Sequence, residues 1–222
     1  MVLLSWVRFP VGTLNKNTQA NAWVFFSYIR TLKYGIIPYM FNIKDYKIRD
    51  ITPDDILALH NVYLATWLAT YPNQEFNITK EDIEYKYEQA LSPEKLEERK
   101  NRITQIGKNQ TMLLIEHNNR VVGLCNAINK EEYNELQAIY ILPEYQGLGL
   151  GRAIWEEAKN IFDLQKDIVV HVASYNDKAI NFYKKLGFAS TGKIFFDERF
   201  KMRNGAMIPE LEMIIKRQSK LC

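Results

Sequence analysis

The segment Ile139-Tyr-Ile-Leu-Pro-Glu-Tyr-Gln-Gly-Leu-Gly-Leu-Gly-Arg152 sets three alternating glycines between an apolar run and an amphipathic one. A strand, a glycine turn and a helix in that order bring main-chain N–H groups close to a ligand, because no Cβ stands in the way. The first helical turn adds unpaired donors and a partial positive charge, which suits a phosphate or pyrophosphate. The alternative for the same glycines is a turn that only packs helix to strand. Two nucleotide-binding patterns fit badly. The spacing is not Gly-x-Gly-x-x-Gly, and no Gly-Lys-Ser/Thr follows the glycines. Thr191-Gly192-Lys193 lacks both the upstream glycine and the following hydroxyl.

The elements that must position this turn read clearly from Tyr46 onward. Tyr46–Ile51 alternates as a strand. Thr52-Pro53-Asp54-Asp55 opens a helix, with a capping residue, a proline at the first position and acids at the positive dipole end. Ile56, Leu59, Tyr63 and Leu64 continue that helix to about Tyr71, where Pro72 stops it. A second helical stretch, broken near Ser92-Pro93, covers roughly Lys80–Ile106. Residues 111–115 and 120–127 form a hairpin through His117-Asn118-Asn119, and 135–141 form another strand. A helix over 149–162, a short apolar strand over 168–173 and a helix from Asn176 follow. Gly187 stands at its C-terminal cap. Two strands over 188–216 turn near Asn204-Gly205. The order βααβββαβαββ predicts a mixed α/β fold, a sheet with helices on its faces.

Composition excludes several classes. With 222 residues, 47% hydrophobic and 25% charged, this is a globular chain with one substantial domain. Two cysteines, Cys125 and Cys222, leave no disulfide scaffold or cysteine-rich zinc site, and three histidines leave little for a metal cluster. Residues 1–44 hold no Asp or Glu but five basic residues, Arg8, Lys16, Arg30, Lys33 and Lys44. Removing that +5 from the net +3 leaves −2 on residues 45–222, the wrong sign for a nucleic-acid surface. The longest uncharged run in the first leg, Asn17–Ile29, is 13 residues. That is short of the roughly 20 a membrane span needs. Residues 1–44 are thus expected to be a disordered or loosely docked extension outside the functional fold, or to follow from a mis-set start with true translation beginning at Met40, with the working domain at 45–222.

Two motifs carry a resemblance to a known family. Gln146-Gly147-Leu148-Gly149-Leu150-Gly151 matches the Gln/Arg-x-x-Gly-x-Gly/Ala signature of the GNAT superfamily of N-acetyltransferases. Asn176-Asp-Lys-Ala179-Ile-Asn-Phe182-Tyr183-Lys-Lys-Leu186-Gly187-Phe188 resembles its second signature, Asn-x-x-Ala-x-x-Phe-Tyr-x-x-x-Gly-Phe. They lie about thirty residues apart, with a helix and a strand between, as in the family. The resemblance spans about Tyr46–Lys216. It implies a mostly antiparallel sheet of six or seven strands, splayed between its central strands and flanked by about four helices.

What the resemblance implies for the site can be set out residue by residue. Acetyl-CoA, as the acyl donor, would place its pyrophosphate on the N–H groups of Gln146, Gly147, Leu148, Gly149, Leu150, Gly151 and Arg152. Its pantetheine arm would add like a strand to the backbone of Ile139, Tyr140 and Ile141. A main-chain N–H near Ile141 would polarise the acetyl carbonyl. Asn176 would bond the cofactor arm, or simply cap its helix. Tyr183 would be the general acid toward the thiolate, its alternative being a core-packed helix tyrosine. Glu135, eleven residues before Gln146 on a face shared with Gln137 and Ile139, is the general-base candidate. Its alternative is an exposed strand-end carboxylate, with a water chain as the base. Trp67 and Tyr71 would line the acceptor pocket, or only pack the core.

His171 is a weaker second base, His60 and His117 are expected at the surface, and Cys125 is expected to be a buried hydrophobe. No metal is expected. The implied reaction is direct attack of a primary amine, on a small molecule or a peptide, in a cytoplasmic monomer or homodimer. The other reading is a non-catalytic acyl-CoA binder on the same scaffold.

Overall fold

The computed structural model describes residues 46–217. The expectations for residues 1–44 lie outside them. Seven strands form one sheet: β1 (Tyr46–Asp50), β2 (Gln110–His117), β3 (Arg120–Asn129), β4 (Asn134–Ile141), β5 (Ile168–Ala173), β6 (Ala189–Phe196) and β7 (Pro209–Ile215). Their spatial order is β1-β2-β3-β4-β5-β7-β6. Every neighbouring pair is antiparallel except β4–β5, which is parallel. The described residues contain five α-helices: α1 (Ile56–Thr70), α2 (Lys80–Gln89), α3 (Pro93–Thr104), α4 (Leu150–Ala158) and α5 (Asp177–Lys185). The break expected near Ser92-Pro93 separates α2 from α3, because Pro93 sits at the first position of α3 and Ser92 accepts from the Lys95 N–H. None of these helices is long and apolar enough to cross a membrane.

Local chemistry sets the boundaries. The β2–β3 hairpin closes through Asn118 and Asn119, both at positive φ (50° and 61°). That is the twist a two-residue hairpin turn requires, and asparagine tolerates it. Ahead of α1, the Asp55 carboxylate accepts from the Thr52 N–H (2.8 Å) and hydroxyl (2.9 Å) and from both ends of the Arg49 guanidinium (2.7 and 2.8 Å). The pair joins β1 to the start of α1 and holds the Asp55 acid down at about 2, first through the Arg49 bonds. The main core lies between sheet and helices. Leu114, Ile115, Val122, Leu124, Leu136, Ile154, Val170 and Met213 are all shut off from solvent there.

The first departure from the sequence reading is at β4. Its pairing with β3 slips between Asn126 and Ala127, so that Ala138 faces Asn126, Leu136 faces Ala127 and Gln137 is left over as a bulge. The bulge resets strand alternation. Glu135 therefore shares its cavity with Ala138 and Tyr140, whereas Ile139 points toward Gly151 on the other face. The expected common face of Glu135, Gln137 and Ile139 is broken there.

The second departure is His60. It is buried, edge-on to Tyr87 at 5.6 Å, rather than exposed. The helix α1 is covered on one side by the sheet and on the other by α2, which a single-helix pattern does not reveal.

A smaller apolar cluster joins Trp67, Ile78, Ile83, Met202 and Ile208 and holds the loop between β6 and β7 against α1 and α2. Its polar fastener is buried Asp82, which accepts from the Thr79 hydroxyl (2.8 Å), Arg203 Nε (3.0 Å) and Asn204 Nδ2 (2.8 Å). Removing that acceptor strands several donors at once. Asp82→Ala is expected to lower stability by about 2 kcal/mol, read as a shift of the denaturant midpoint.

Candidate active site

The site starts from a missing stretch of pairing. The strands β4 and β5 pair only through Asn134–Leu136 with Ile168–Val170. Beyond Leu136 they part, while β4 stays on β3 as far as Ile141 and β5 stays on β7 as far as Ala173. The paired end is bolted by Asn134. Its side chain exchanges bonds with the backbone of Asp163 (2.8 and 3.0 Å), and its N–H reaches the Asp167 carbonyl (2.8 Å). The Leu142 N–H donates to Val122 on β3 (2.9 Å). Alternation then turns the main-chain groups of Tyr140 toward β3 and those of Ile139 and Ile141 into the opening. The Ile141 carbonyl is taken by Gln146 Nε2 (2.9 Å), leaving the Ile139 groups and the Ile141 N–H for a ligand.

A cavity of about 780 Å3 occupies this opening and runs onto the glycine turn. Gly147 and Gly149 have φ of 80° and 83°, and a Cβ built on either would meet nothing within 4 Å. Both glycines are required by backbone conformation, and the space above them is open. The third has a different reason. A Cβ on Gly151 would come 3.1 Å from the Phe182 ring, so this glycine lets α4 approach α5. The N–H groups of Gly147 through Gly151 meet no acceptor among the described residues, whereas those at both ends do. The Gln146 N–H turns to the Pro143 carbonyl (3.2 Å) and the Arg152 N–H to the Gly149 carbonyl (3.1 Å). The donor set is therefore five central amides rather than the seven expected. Leu148 packs on the core. Arg152, Lys178 and Lys185 bring cations to the same cavity. Lys178 Nζ meets Gln146 Oε1 at 2.5 Å. This set of donors and cations fits a diphosphate, and the unpaired β4 edge fits an extended amide-bearing arm. Acetyl-CoA has both parts.

Asn176 fulfils the plainer of its two expected roles, because its Oδ1 caps α5 by accepting from the Ala179 N–H (3.1 Å). It also lines the cavity. Tyr183 is buried against Phe182 and Phe188 and lines the same cavity. Burial pushes its phenol well above the ordinary tyrosine range, so it stays a neutral hydrogen-bond donor at any working pH.

A second cavity, of about 680 Å3, lies on the far side of the splay. Tyr71, Gln137, Ala138, Tyr140 and His171 line both cavities and mark their junction. The Tyr71 and Tyr140 hydroxyls meet there at 2.9 Å. Trp67 is buried within an aromatic set, its ring 4.7 Å from Tyr71, 5.4 Å from Tyr87 and 5.7 Å from Phe200. Both Trp67 and Tyr71 thus sit in the second cavity, with packing and lining roles combined.

Glu135 lies in its wall, buried rather than exposed. Its Oε2 is already held by Lys130 Nζ (2.8 Å) and Gln137 Nε2 (3.0 Å). Sequence reasoning missed another carboxylate in the same cavity, Glu210 on β7. Its acid is pushed up to about 7, first by burial and then by the charge of Asp197, with Arg199 opposing and Glu135 reinforcing. His171 sits edge-on to Phe195 at 4.5 Å with Nε2 3.7 Å from Glu212, and burial lowers its pKa. Cys125 is fully buried, as expected. No group of metal-ligating side chains occurs among the described residues.

A parted parallel pair at the centre of a mostly antiparallel sheet, with a glycine turn at its mouth, defines an acetyltransferase fold of the GNAT type. Residues 62–188 match the acetyltransferase (GNAT) family, and the chain belongs to it. Among curated relatives, peptidyl-lysine N-acetyltransferase YjaB of Escherichia coli K12 is 33% identical over 63 residues, 28% of this chain. That match spans 41% of the relative's own length. Among solved structures, the PaiA N-acetyltransferase of Thermoplasma acidophilum, in complex with coenzyme A, superposes with a TM-score of 0.60 at 22% identity. The match covers 77% of this chain and 98% of that one. Spermidine N-acetyltransferase of Vibrio cholerae, in complex with coenzyme A and spermine, gives 0.54 at 23% identity, over 78% and 96%.

A side chain on Gly149 strains the turn and fills the space over the amides. Gly149→Val is expected to weaken acetyl-CoA binding at least tenfold, measured by calorimetry, with the circular-dichroism spectrum kept.

Proposed function

We propose that this chain is an N-acetyltransferase that moves an acetyl group from acetyl-CoA to a primary amine by direct attack in a ternary complex. The observation that carries this reading is the meeting of two cavities at the β4–β5 splay. One cavity has five amide donors and an open strand edge, and the other has carboxylates and an aromatic wall. A protein that only bound acyl-CoA would need the first cavity alone. The names of the relatives support amine acetylation in general. A cytoplasmic location belongs to the same reading.

The amides of Gly147–Gly151 hold the diphosphate and the Ile139–Ile141 edge holds the arm, which brings the thioester to the junction. The Ile141 N–H is the donor placed for the acetyl oxygen. Holding both reactants at the junction supplies much of the rate, since attack becomes effectively unimolecular. As the amine nitrogen bonds to the acetyl carbon and the carbon–sulfur bond breaks, one proton must leave nitrogen and one must reach sulfur. Tyr183 donates the second. We assign the first to Glu210, acting directly or through water. Its near-neutral pKa keeps a useful fraction unprotonated, whereas the Glu135 charge is committed to Lys130 and Gln137. In this assignment Glu135 is a wall charge that favours an incoming ammonium and keeps the Glu210 acid raised.

Two measurements test the roles. Tyr183→Phe is expected to lower kcat roughly tenfold to a hundredfold with little change in acetyl-CoA affinity. Unchanged kcat under conditions where chemistry limits the rate removes Tyr183 from the mechanism. A base must be unprotonated to act, so kcat/KM is expected to rise with pH through about 7. Glu210→Gln should abolish that limb and Glu135→Gln should leave it in place. The reverse result transfers the role to Glu135.

A further inference from the structure

The second cavity has charge at both ends, and one charge lacks a counterpart. Arg99 on α3 lines this cavity, half-buried, with Nη1 shut off from solvent and without a hydrogen-bond partner. No carboxylate among the described residues lies within ion-pair distance of it. Glu98, its neighbour on α3, turns instead to Lys95 (2.9 Å) and Arg102 (3.9 Å). The charged groups near Arg99 make matters worse or are neutral. Arg102 repels it, and the other titratable groups that act on it are the phenols of Tyr63 and Tyr87. Lys95, Glu98 and Arg102 line the cavity beside it, so that this end keeps a net positive charge. A guanidinium desolvated without an acceptor is costly, and its planar fork matches a carboxylate.

The opposite end carries the carboxylates. Glu210 and Glu135 line it together with Arg199, whose guanidinium is taken by Asp197. Glu135 is paired with Lys130, which leaves Glu210 without an ion-pair partner among the described residues. Glu210 acts electrostatically on Tyr71 and Tyr140 at the junction. Arg99 acts electrostatically on Tyr63, midway along α1, and on His60 before it, whereas Tyr71 closes the far end of the helix. Tyr63 and Tyr71 are about 12 Å apart along the helix at 1.5 Å per residue. Between the two charged ends stands the aromatic wall of Trp67.

Resting on the transferase reading, we propose that the acceptor is an ω-amino carboxylate. Its amine lies at the splay beside Glu210, and its carboxylate lies on Arg99, with a chain of several carbons along the Trp67 wall. An α-amino group is too close to its own carboxylate to span the two ends. A polyamine would set a cation against Arg99.

The test measures thiol release from acetyl-CoA with matched pairs, 6-aminohexanoate against hexylamine and 8-aminooctanoate against octylamine, together with glycine and spermidine. The longer amino carboxylates are expected to exceed their alkylamine partners at least tenfold in kcat/KM, with glycine poor. Arg99→Gln is expected to reduce that ratio at least tenfold, and Arg99→Lys should restore part of it. Melting curves and acetyl-CoA affinity serve as controls for folding. Turnover of alkylamines or spermidine equal to or better than the amino carboxylates overturns this inference and leaves the transferase reading standing. So does a ratio unmoved by Arg99→Gln. No thiol release with any amine, despite acetyl-CoA binding, overturns the transferase reading and this inference with it.

Discussion

A parallel strand pair that stops after three residues leaves main-chain donors and acceptors facing no partner, and buried main-chain groups without partners are costly. The site exists because β4 and β5 are held together at one end and pulled apart at the other. The Asn134 bonds to Asp163 and Asp167 close the first end. At the other, β5 keeps its register with β7 to Ala173 while β4 keeps its own with β3 to Ile141. The two halves of the sheet are each satisfied internally, so the gap does not close by pairing. A ligand with amides of its own can complete the edge. On the proposed reading, strand-like binding of an acyl-carrier arm rests on the backbone, without any special side chain.

The bulge at Gln137 links the gap to the chemistry. Had alternation continued through Gln137, Tyr140 would point at α4 and Ile139 at α1. The extra residue instead turns Tyr140 onto Tyr63 and Tyr71, at a ring distance of 5.3 Å and a hydroxyl distance of 2.9 Å. Ile139 goes beneath the glycine turn. One inserted residue thus divides the two cavities and leaves Gln137 lining both. Its side chain accepts from Asn126 Nδ2 (2.7 Å) and donates to Glu135, which fixes the acidic wall at the junction.

What was legible in the sequence is what short stretches of backbone dictate. Gly147, Gly149 and Gly187 need positive φ, Asn176 caps the next residues, and Pro93 starts a helix. Each is decided within a few residues, so strand order, helix starts and the glycine turn could be read. What failed to show is decided across the fold. Glu210 sits in a strand that alternates unremarkably, and its raised acid comes from burial and from Asp197 in the preceding loop. His60 is buried because α2 covers α1. At Gly151 the amide is free for a ligand, but the missing side chain serves packing, because Phe182 arrives from another helix. The full donor run from Gln146 to Arg152 was overcounted for a similar reason, since turn geometry returns both end amides to nearby carbonyls.

The two cavities also differ in what holds them, and this bears on how specificity is set. The donor side is built on β4, α4 and α5, whose apolar faces belong to the main core. The acceptor side is closed by α2, α3 and the β6–β7 loop, fastened through the smaller cluster of Trp67, Ile83, Met202 and Ile208 and through Asp82. No residue of α3 is fully buried. Substitutions there disturb little packing, so the cations it presents can vary at small cost in stability, whereas a change in α4 or α5 strikes the core. A scaffold so divided can keep one acyl donor while the acceptor varies. On the proposed reading, the residues that select the acceptor are therefore to be sought on α3 and the β6–β7 loop.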